Sequence, residues 1–295
     1  MELSSTNSHE GSKNVNRETI KSLLSEHGLR PNKALGQNFL ADEEAANAIL
    51  SAASPCGKTV LEIGPGLGAL TRGLCEKAKH VLAVEIDSAM VRVLQETLAA
   101  EFDNLTVYEC DILKFDLPAA IGNLKETRFD AVGNLPYYIT TPIAERLMGY
   151  GADALTLMVQ REAKERFFAP PKSRVYGPLS VVCAACYEGE AVLELPPESY
   201  FPAPEVHSSV LRFIKRADVP NPKALFSLTK TAFSMRRKTL CNNLAALPNM
   251  TRERARELLV SLGESPDCRA EALPPEQYVR LLSRLEEEKS EEERA

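Results

Sequence analysis

The spacing of apolar residues changes repeatedly between two periods in the middle of the chain. Short runs rich in apolar residues, typical of buried strands, occupy 60–63 and 81–86, each with a single glutamate. Each run is followed by a longer stretch, 69–79 and 88–100, in which apolar residues recur at helical spacing. Strands that alternate with helices in this way usually pair in parallel, so the pattern predicts an α/β fold with a mostly parallel sheet.

Further elements extend this pattern in both directions. They comprise helices at 18–27 and 143–149 and strands at 105–108, 131–132 and 155–159. Two segments near the end of this region, 191–195 and 208–214, are separated by a proline-rich loop and predict an antiparallel pair at the edge of the sheet. We therefore expect a sheet of about seven strands.

The pattern changes after Lys215. Residues 217–222 contain two prolines, and beyond them the apolar spacing is helical at 225–233, 252–262 and 275–285. We therefore expect a domain boundary here. The expected organisation is a disordered tail, an α/β domain, a small all-α C-terminal domain and an acidic tail, at 1–17, 18–216, 217–285 and 286–295.

Composition narrows the class of protein. With 295 residues, 44% of them hydrophobic, the chain can bury a large core and a smaller second one. Its longest apolar runs fall well short of the roughly 20 residues that cross a bilayer, which argues against a membrane protein. The first 17 residues have no features of a secretory or mitochondrial leader, so we expect a cytoplasmic protein.

The cysteine and histidine residues predict neither a set of disulfide bonds nor a metal site. The seven cysteines are an odd number and are scattered, which does not suggest disulfide pairing. Cys183 and Cys186 form a CxxC pair, but no second pair follows and the four histidines are dispersed. Because their neighbours are apolar, we expect buried thiols in a helix and no bound metal.

A glycine-rich turn follows the first strand of the predicted sheet. Gly64, Gly66 and Gly68 form a GxGxG arrangement, where glycine lets the backbone approach a ligand closely. Glu85 ends the next strand about 20 residues later, where a carboxylate can accept hydrogen bonds from both hydroxyls of a ribose. Asp111, after the third strand, is placed to accept from the exocyclic amine of adenine.

Each of these residues also has a purely structural interpretation. Glycines occur in such turns for steric reasons, and Asp111 would cap a helix beginning at Ile112. Together they indicate an adenosine-binding site, which suits either a nicotinamide dinucleotide or S-adenosylmethionine. Because the spacing is not the GxGxxG of dinucleotide-binding turns, we favour S-adenosyl-L-methionine as the cofactor.

The segment after the fourth strand carries the candidate chemistry. It reads Asn134, Leu135, Pro136, Tyr137. The Asn134 side-chain oxygen and the Leu135 carbonyl, held extended by Pro136, could accept the two hydrogens of an adenine amine, and Tyr137 could stack on a flipped base. A β-turn whose tyrosines pack in the core is the alternative, and the position at the ligand-binding edge of an α/β sheet argues against it.

The charge is unevenly distributed. The net charge is −6, with much of the acidic excess in the C-terminal tail. In contrast, residues 223–243 contain Arg236, Arg237 and Lys238 and no carboxylate. With no acid nearby in sequence, we expect these three residues to contact RNA phosphates.

Taken together, these motifs resemble the ribosomal RNA adenine N6,N6-dimethyltransferase family over most of residues 30–285. The resemblance includes 33–40, the Gly64–Gly68 turn, Glu85, Asp111, 134–138, and 201–206 with Ser208 and Ser209. It implies a Rossmann-like domain and S-adenosylmethionine as methyl donor. The implied acceptors are two adjacent adenosines near the 3′ end of small-subunit (16S) rRNA.

The resemblance also implies roles for individual residues. The implied donor-binding residues are Asn38, Leu40, Gly64, Glu85, Asp111 and Asn134, to which the turn adds Gly66. Asn134 would also face the acceptor base, and Phe201 would pack against that base opposite Tyr137.

Two alternatives stay open. A large-subunit rRNA adenine methyltransferase would share these motifs, and a non-catalytic nucleic-acid-binding factor could keep the fold. Intact Glu85, Asp111 and Asn134 argue against the second. We expect a monomer that acts on rRNA within an immature small subunit, because the overall acidity argues against tight binding to naked RNA.

Overall fold

The computed structural model describes residues 16–292, and the side chains of residues 16–290. Its nine strands are β1 (Phe39–Leu40), β2 (Thr59–Ile63), β3 (His80–Glu85), β4 (Leu105–Glu109), β5 (Asp130–Asn134), β6 (Ala154–Gln160), β7 (Tyr187–Leu195), β8 (Tyr200–Phe201) and β9 (Ser208–Lys215). The helices of the first part are α1 (Arg17–Glu26), α2 (Glu43–Ala53), α3 (Thr71–Cys75), α4 (Ser88–Thr97), α5 (Leu117–Asn123), α6 (Thr140–Gly149), α7 (Arg161–Phe167) and α8 (Pro178–Cys186). Those of the C-terminal part are α9 (Pro222–Ala232), α10 (Leu240–Leu244), α11 (Arg252–Ser261) and α12 (Pro275–Glu292).

Seven strands form one mixed sheet, in the order β4-β3-β2-β5-β6-β9-β7. The first five are parallel, whereas β9 is antiparallel to both β6 and β7. The predicted α/β class, the strand number and the antiparallel pair at the edge are confirmed. The chain order reverses between β2 and β5, so the helices that follow them, α3 and α6, lie on opposite faces of the sheet. Such a reversal leaves a crevice at the carboxyl ends of the two strands, where ligands bind in α/β sheets.

Helices cover both faces of the sheet. Leu61 and Ile63 of β2 belong to a buried cluster with α5, α6 and α8, whereas Val60 belongs to a second cluster with α2, α3 and α4. Successive residues of a strand point to opposite faces, so a strand that is apolar at consecutive positions must lie between two layers. The consecutive apolar residues Val60 and Leu61 point to opposite faces and are both fully buried.

The C-terminal helices pack against the sheet domain. Apolar residues of α9, α11 and α12 belong to the same buried cluster as those of α6 and α8. The Tyr176 hydroxyl donates to the Leu273 carbonyl at 2.9 Å across this contact. The expected boundary at 216/217 falls between β9 and α9 and stays a prediction, because the two parts share their apolar contacts.

Several predicted element boundaries are wrong. The helix expected at 69–79 is limited to Thr71–Cys75, and α12 continues to Glu292 through residues expected to form an acidic tail. Glutamate and lysine are good helix formers, and Arg254 of α11 pairs with Glu288 on this extension. The expected N-terminal tail lies outside the described residues up to residue 15. Arg17 already belongs to α1, whose N-cap is Asn16.

The predicted apolar helix around the CxxC pair is confirmed. Cys183 and Cys186 are buried in α8, and burial raises the pKa of both thiols, that of Cys186 to about 11. Among residues 16–292, no helix combines the length and apolar character needed to cross a membrane.

Candidate active site

A cleft of about 1120 Å³ opens at the carboxyl ends of β2, β3 and β5. Ten of the residues singled out in the sequence line it: Asn38, Leu40, Gly64, Gly66, Glu85, Asp111, Asn134, Leu135, Pro136 and Tyr137. They come from segments that are far apart in sequence. The parallel strands bring them together because their carboxyl ends lie at one edge of the sheet.

The glycine turn requires its glycines. Gly64, Gly66 and Gly68 all have positive φ angles, of 64°, 57° and 86°. A Cβ atom on Gly66 would lie 3.0 Å from the Phe39 ring, and one on Gly68 would lie 2.6 Å from Leu98. The steric interpretation is therefore correct for the turn itself. The N–H groups of the three glycines are already engaged: they donate to the Val84 carbonyl, Glu85 Oε2 and the Pro65 carbonyl, in chain order.

Glu85 is held by the backbone around it. The carboxylate is 6% exposed; Oε2 accepts from the Gly66 N–H at 3.1 Å, and Oε1 accepts from the N–H groups of Ile86 and Asp87 at 2.8 and 3.0 Å. Burial raises the pKa of Glu85, while these three hydrogen bonds lower it. A carboxylate offers about four acceptor positions, so the three bonds orient it and leave room for a ligand donor.

Asp111 does not cap a helix. Its Oδ1 accepts from the Leu113 N–H at 2.9 Å within a turn, and the next helix, α5, begins only at Leu117. The helix-cap alternative is therefore wrong. The bond orients the carboxylate of Asp111, which lines the cleft together with Ile86 and the glycine turn.

Asn134 is the last residue of β5, which is longer than predicted. Its Nδ2 donates to the Asn38 carbonyl at 2.9 Å, so that its Oδ1 is the atom left to accept from a ligand. The next residue, Leu135, is 1% exposed and donates its N–H to the Met158 carbonyl at 3.1 Å. Thr140 donates to the Pro136 carbonyl at 3.2 Å and so stabilises the segment that follows β5.

The two aromatic residues lie on different elements. Tyr137 lines the cleft, and its hydroxyl lies 3.0 Å from Ser208 Oγ; burial raises the pKa of Tyr137, and this hydrogen bond lowers it. Phe201 in β8 pairs with Phe39 in β1 and does not line the described cleft. Its ring lies beside the cationic groups of Arg17 and Lys21, at 5.8 and 5.6 Å.

Two residues of the site were missed by the sequence reasoning. Glu62 is 2% exposed, lines the cleft, and has an Oε2 atom without a hydrogen-bond partner among the described residues. Burial, with a further contribution from Glu85, raises the pKa of Glu62 to about 8. A glutamate inside an otherwise apolar central strand was the available signal.

The second is Gln37. Its Nε2 donates to Asp87 Oδ2 at 2.7 Å, and its Oε1 accepts from the Asn32 N–H at 2.8 Å. Gln37 therefore joins the loop that carries Asn38 to the start of α4. The sequence contains no local signal for this contact, because its partners are 50 residues apart.

The basic segment, Arg236–Lys238, lies between α9 and α10, and its three side chains are exposed. The expectation that no acid lies near it is wrong for Arg236, which pairs with Glu271 at 3.1 Å and also donates to the Tyr176 carbonyl. Arg237 and Lys238 have no ion pair with any of the described side chains. The contact of this segment with RNA stays a prediction.

The comparisons with known proteins agree with this geometry. Ribosomal RNA small subunit methyltransferase A of Enterococcus faecalis is 37% identical to this chain over 281 residues, which cover 91% of this chain and 95% of the relative. The protein of the same name from Streptococcus sanguinis is 38% identical over 280 residues, with 91% and 96% covered.

Two solved structures are similar over most of the chain. A dimethyladenosine transferase from Plasmodium falciparum superposes with a TM-score of 0.67 at 25% identity, covering 84% of this chain and 98% of that one. The 23S rRNA methyltransferase ErmE gives 0.59 at 28% identity, covering 84% and 100%. The model of the family described as ribosomal RNA adenine dimethylase matches residues 28–287. The chain therefore belongs to the ribosomal RNA adenine dimethylase family.

Proposed function

We propose that this protein transfers methyl groups from S-adenosylmethionine to N6 of two adjacent adenosines near the 3′ end of small-subunit rRNA, which gives N6,N6-dimethyladenosine. The observation that carries the proposal is that Asn134 and Tyr137 lie in the same cleft as Glu85 and Asp111. The carboxylates suited to bind the adenosine of the methyl donor and the segment suited to bind the amine of the target adenine therefore line one cleft.

One side of the cleft suits the methyl donor. We call Gly64–Gly68, Glu85 and Asp111 the donor side. Glu85 would accept from the ribose and Asp111 from the adenine amine, while the loop at Asn38 and Leu40 would contact the amino-acid end. S-adenosylmethionine supplies an electrophilic methyl group on a sulfonium. Two oriented carboxylates that line one cleft fit its nucleoside part.

The other side suits the acceptor base. We call Asn134–Tyr137, together with Phe201, the acceptor side, although Phe201 does not line the described cleft. Asn134 Oδ1 and the Leu135 carbonyl would accept the two amine hydrogens and orient the nitrogen lone pair toward the methyl group. No strong base is needed, because the alkylated nitrogen is acidic and loses its proton to water. Catalysis would depend on positioning and electrostatics.

The relatives favour the small subunit over the large one. The curated relatives with 37 and 38% identity are named for the small subunit, whereas the 23S enzyme ErmE is 28% identical. We propose that the substrate is rRNA within an immature small subunit, with Arg237 and Lys238 contacting phosphates. We also propose that the protein acts as a monomer in the cytoplasm, where small subunits mature.

Mass spectrometry of nucleosides tests the proposal. Immature small subunits from cells without their own dimethyltransferase are incubated with the protein and isotopically labelled S-adenosylmethionine, then digested. We expect labelled N6,N6-dimethyladenosine with the wild type and far less of it at the same early time point with Asn134→Ala. Large subunits serve as the second acceptor. Methylation of large subunits alone would overturn the proposal in favour of the large-subunit alternative.

A further inference from the structure

Three hydroxyl groups lie together behind the acceptor side. Tyr137 Oη is 3.0 Å from Ser208 Oγ, and Ser208 is the first residue of β9 and fully buried. Tyr200 of β8 is also fully buried. Burial raises the pKa of Tyr200, and Ser208 and Tyr137 are among the groups that influence it, although the described residues give the Tyr200 hydroxyl no hydrogen-bond partner.

The sheet does not require a hydroxyl at position 208. In the ladder, Ser208 is paired with Gln160 of β6 and Leu195 of β7 through the backbone, which any residue except proline could provide. Burying a hydroxyl is unfavourable unless it is hydrogen-bonded. The contact with Tyr137 is the hydrogen bond that the described structure gives to this side chain.

This contact holds Tyr137, one of the two aromatic residues assigned to the acceptor side. Tyr137 follows β5, and Phe201 lies in β8 next to Tyr200. Without a partner for its hydroxyl, the Tyr137 ring would be free to leave the orientation it has above the cleft. Ser208, held at the start of β9 between β6 and β7, limits this freedom.

We propose that Ser208 is a positioning residue for methyl transfer: its hydrogen bond holds the Tyr137 ring in the orientation in which it stacks on the acceptor adenine. Ser208 itself would not touch either substrate. The inference rests on the proposed function, since it requires an adenine on the acceptor side. It predicts a defect in the transfer step and none in donor binding, because Glu85 and Asp111 are held by other contacts.

The experiment compares variants that remove the same hydrogen bond from its two ends. Ser208→Ala and Tyr137→Phe are measured singly and together, with immature small subunits as acceptor and saturating S-adenosylmethionine in single turnover. Ser209→Ala is the matched control. Ser209 is the next residue of β9, is equally buried, and donates to Glu194 of β7 instead. Ser208→Thr keeps the hydroxyl and serves as the rescue variant.

We expect Ser208→Ala and Tyr137→Phe each to lower the transfer rate by about tenfold, since small errors in position have large kinetic effects. The double variant should be no slower than either single one, Ser208→Thr should recover most of the rate, and donor Kd should stay within about twofold. Ser209→Ala should transfer at the wild-type rate. All rates are taken well below the melting temperature of each variant.

Three results would overturn the inference. The first is a Ser208→Ala rate close to wild type, and the second is additive losses in the double variant. The third is an equal loss in Ser209→Ala, which would indicate general damage to β9. A wild-type protein that transfers no methyl group to small subunits would instead overturn the proposed function, and this inference with it.

Discussion

The donor and acceptor sides of the cleft are organised by different kinds of contact. On the donor side, the Glu85 carboxylate accepts from three backbone N–H groups, two of them on the residues that directly follow it. On the acceptor side, the bonds from Asn134 to Asn38 and between Tyr137 and Ser208 join segments 96 and 71 residues apart. The donor side therefore depends on local strand ends, and the acceptor side on how distant segments pack.

The largest expected effect separates the two sides by their kinetics. Asn134→Ala should lower the methyl-transfer rate by about 10² to 10³, the usual effect of removing one well-placed polar group from a transition state. Single-turnover kinetics at saturating S-adenosylmethionine measure this rate without interference from donor binding. A near-normal rate would remove Asn134 from the mechanism and leave the Leu135 carbonyl as the main acceptor.

A donor-side variant should weaken the binding of S-adenosylmethionine, whereas Asn134→Ala should slow transfer even when the donor is saturating. Glu85→Ala removes a charged acceptor whose hydrogen bonds are each worth about 1.5 to 3 kcal/mol, so the Kd for S-adenosylmethionine should rise at least tenfold. Titration calorimetry measures it. Glu109→Ala is the matched control, because Glu109 is paired with Glu85 in the neighbouring strand but is exposed. Equal affinities for both variants would contradict the assignment of Glu85 to the ribose.

The buried carboxyl of Glu62 should make the stability of the folded protein depend on pH. Its pKa of about 8 lies above the ordinary value of 4.5, so the folded protein binds this proton more tightly than the unfolded chain. Stability is therefore lost as pH rises from 4.5 to 8. Glu62→Gln should reduce this loss and stabilise the protein by about 1 to 3 kcal/mol at pH 8, less at pH 5.

Melting curves of the wild type and Glu62→Gln at pH 5, 6.5 and 8 test this. The gap between the two melting temperatures should widen as pH rises. A gap that is constant with pH would mean that the Glu62 carboxyl does not titrate in this range.

The smallest effect concerns the basic segment. Arg237→Ala and Lys238→Ala should each lower the slope of log affinity for small-subunit rRNA against log salt by about 0.7 to 0.9. Arg236→Ala should instead lower the melting temperature, because Arg236 bonds to Tyr176 and Glu271. Arg128→Ala, which removes a pair with Asp153, is the control and should leave the slope unchanged. An unchanged slope in all variants would place RNA binding elsewhere.

The fold and the donor side could be predicted in large part from the sequence. Apolar runs such as 60–63 identify strands buried on both faces, and the carboxyl ends of parallel strands meet at one edge. The positions of Glu85 and Asp111 at strand ends therefore predicted that they share a cleft, as they do. The helix-cap interpretation of Asp111 failed because a local turn satisfies the same side chain.

Other features could not be predicted from local patterns. Short helices such as α5, α7 and α10 have too few turns to establish an apolar period. Helix α12 continues beyond its last apolar residues because the charged residues that follow favour a helix. The acid beside Arg236 is 35 residues away in sequence. A segment whose own sequence contains no carboxylate can therefore have one beside it in the folded structure.

The sequence by itself determined the α/β class, the family and the set of residues at the sheet edge, because these follow from periodicity and from short motifs. Only the tertiary structure decided how those residues are held. The Asn38 carbonyl orients Asn134, Ser208 meets Tyr137, and Glu62 is buried with an orphaned oxygen. The physical reason is that hydrogen bonds between distant segments, and the burial of a single carboxyl, depend on packing that no local pattern encodes.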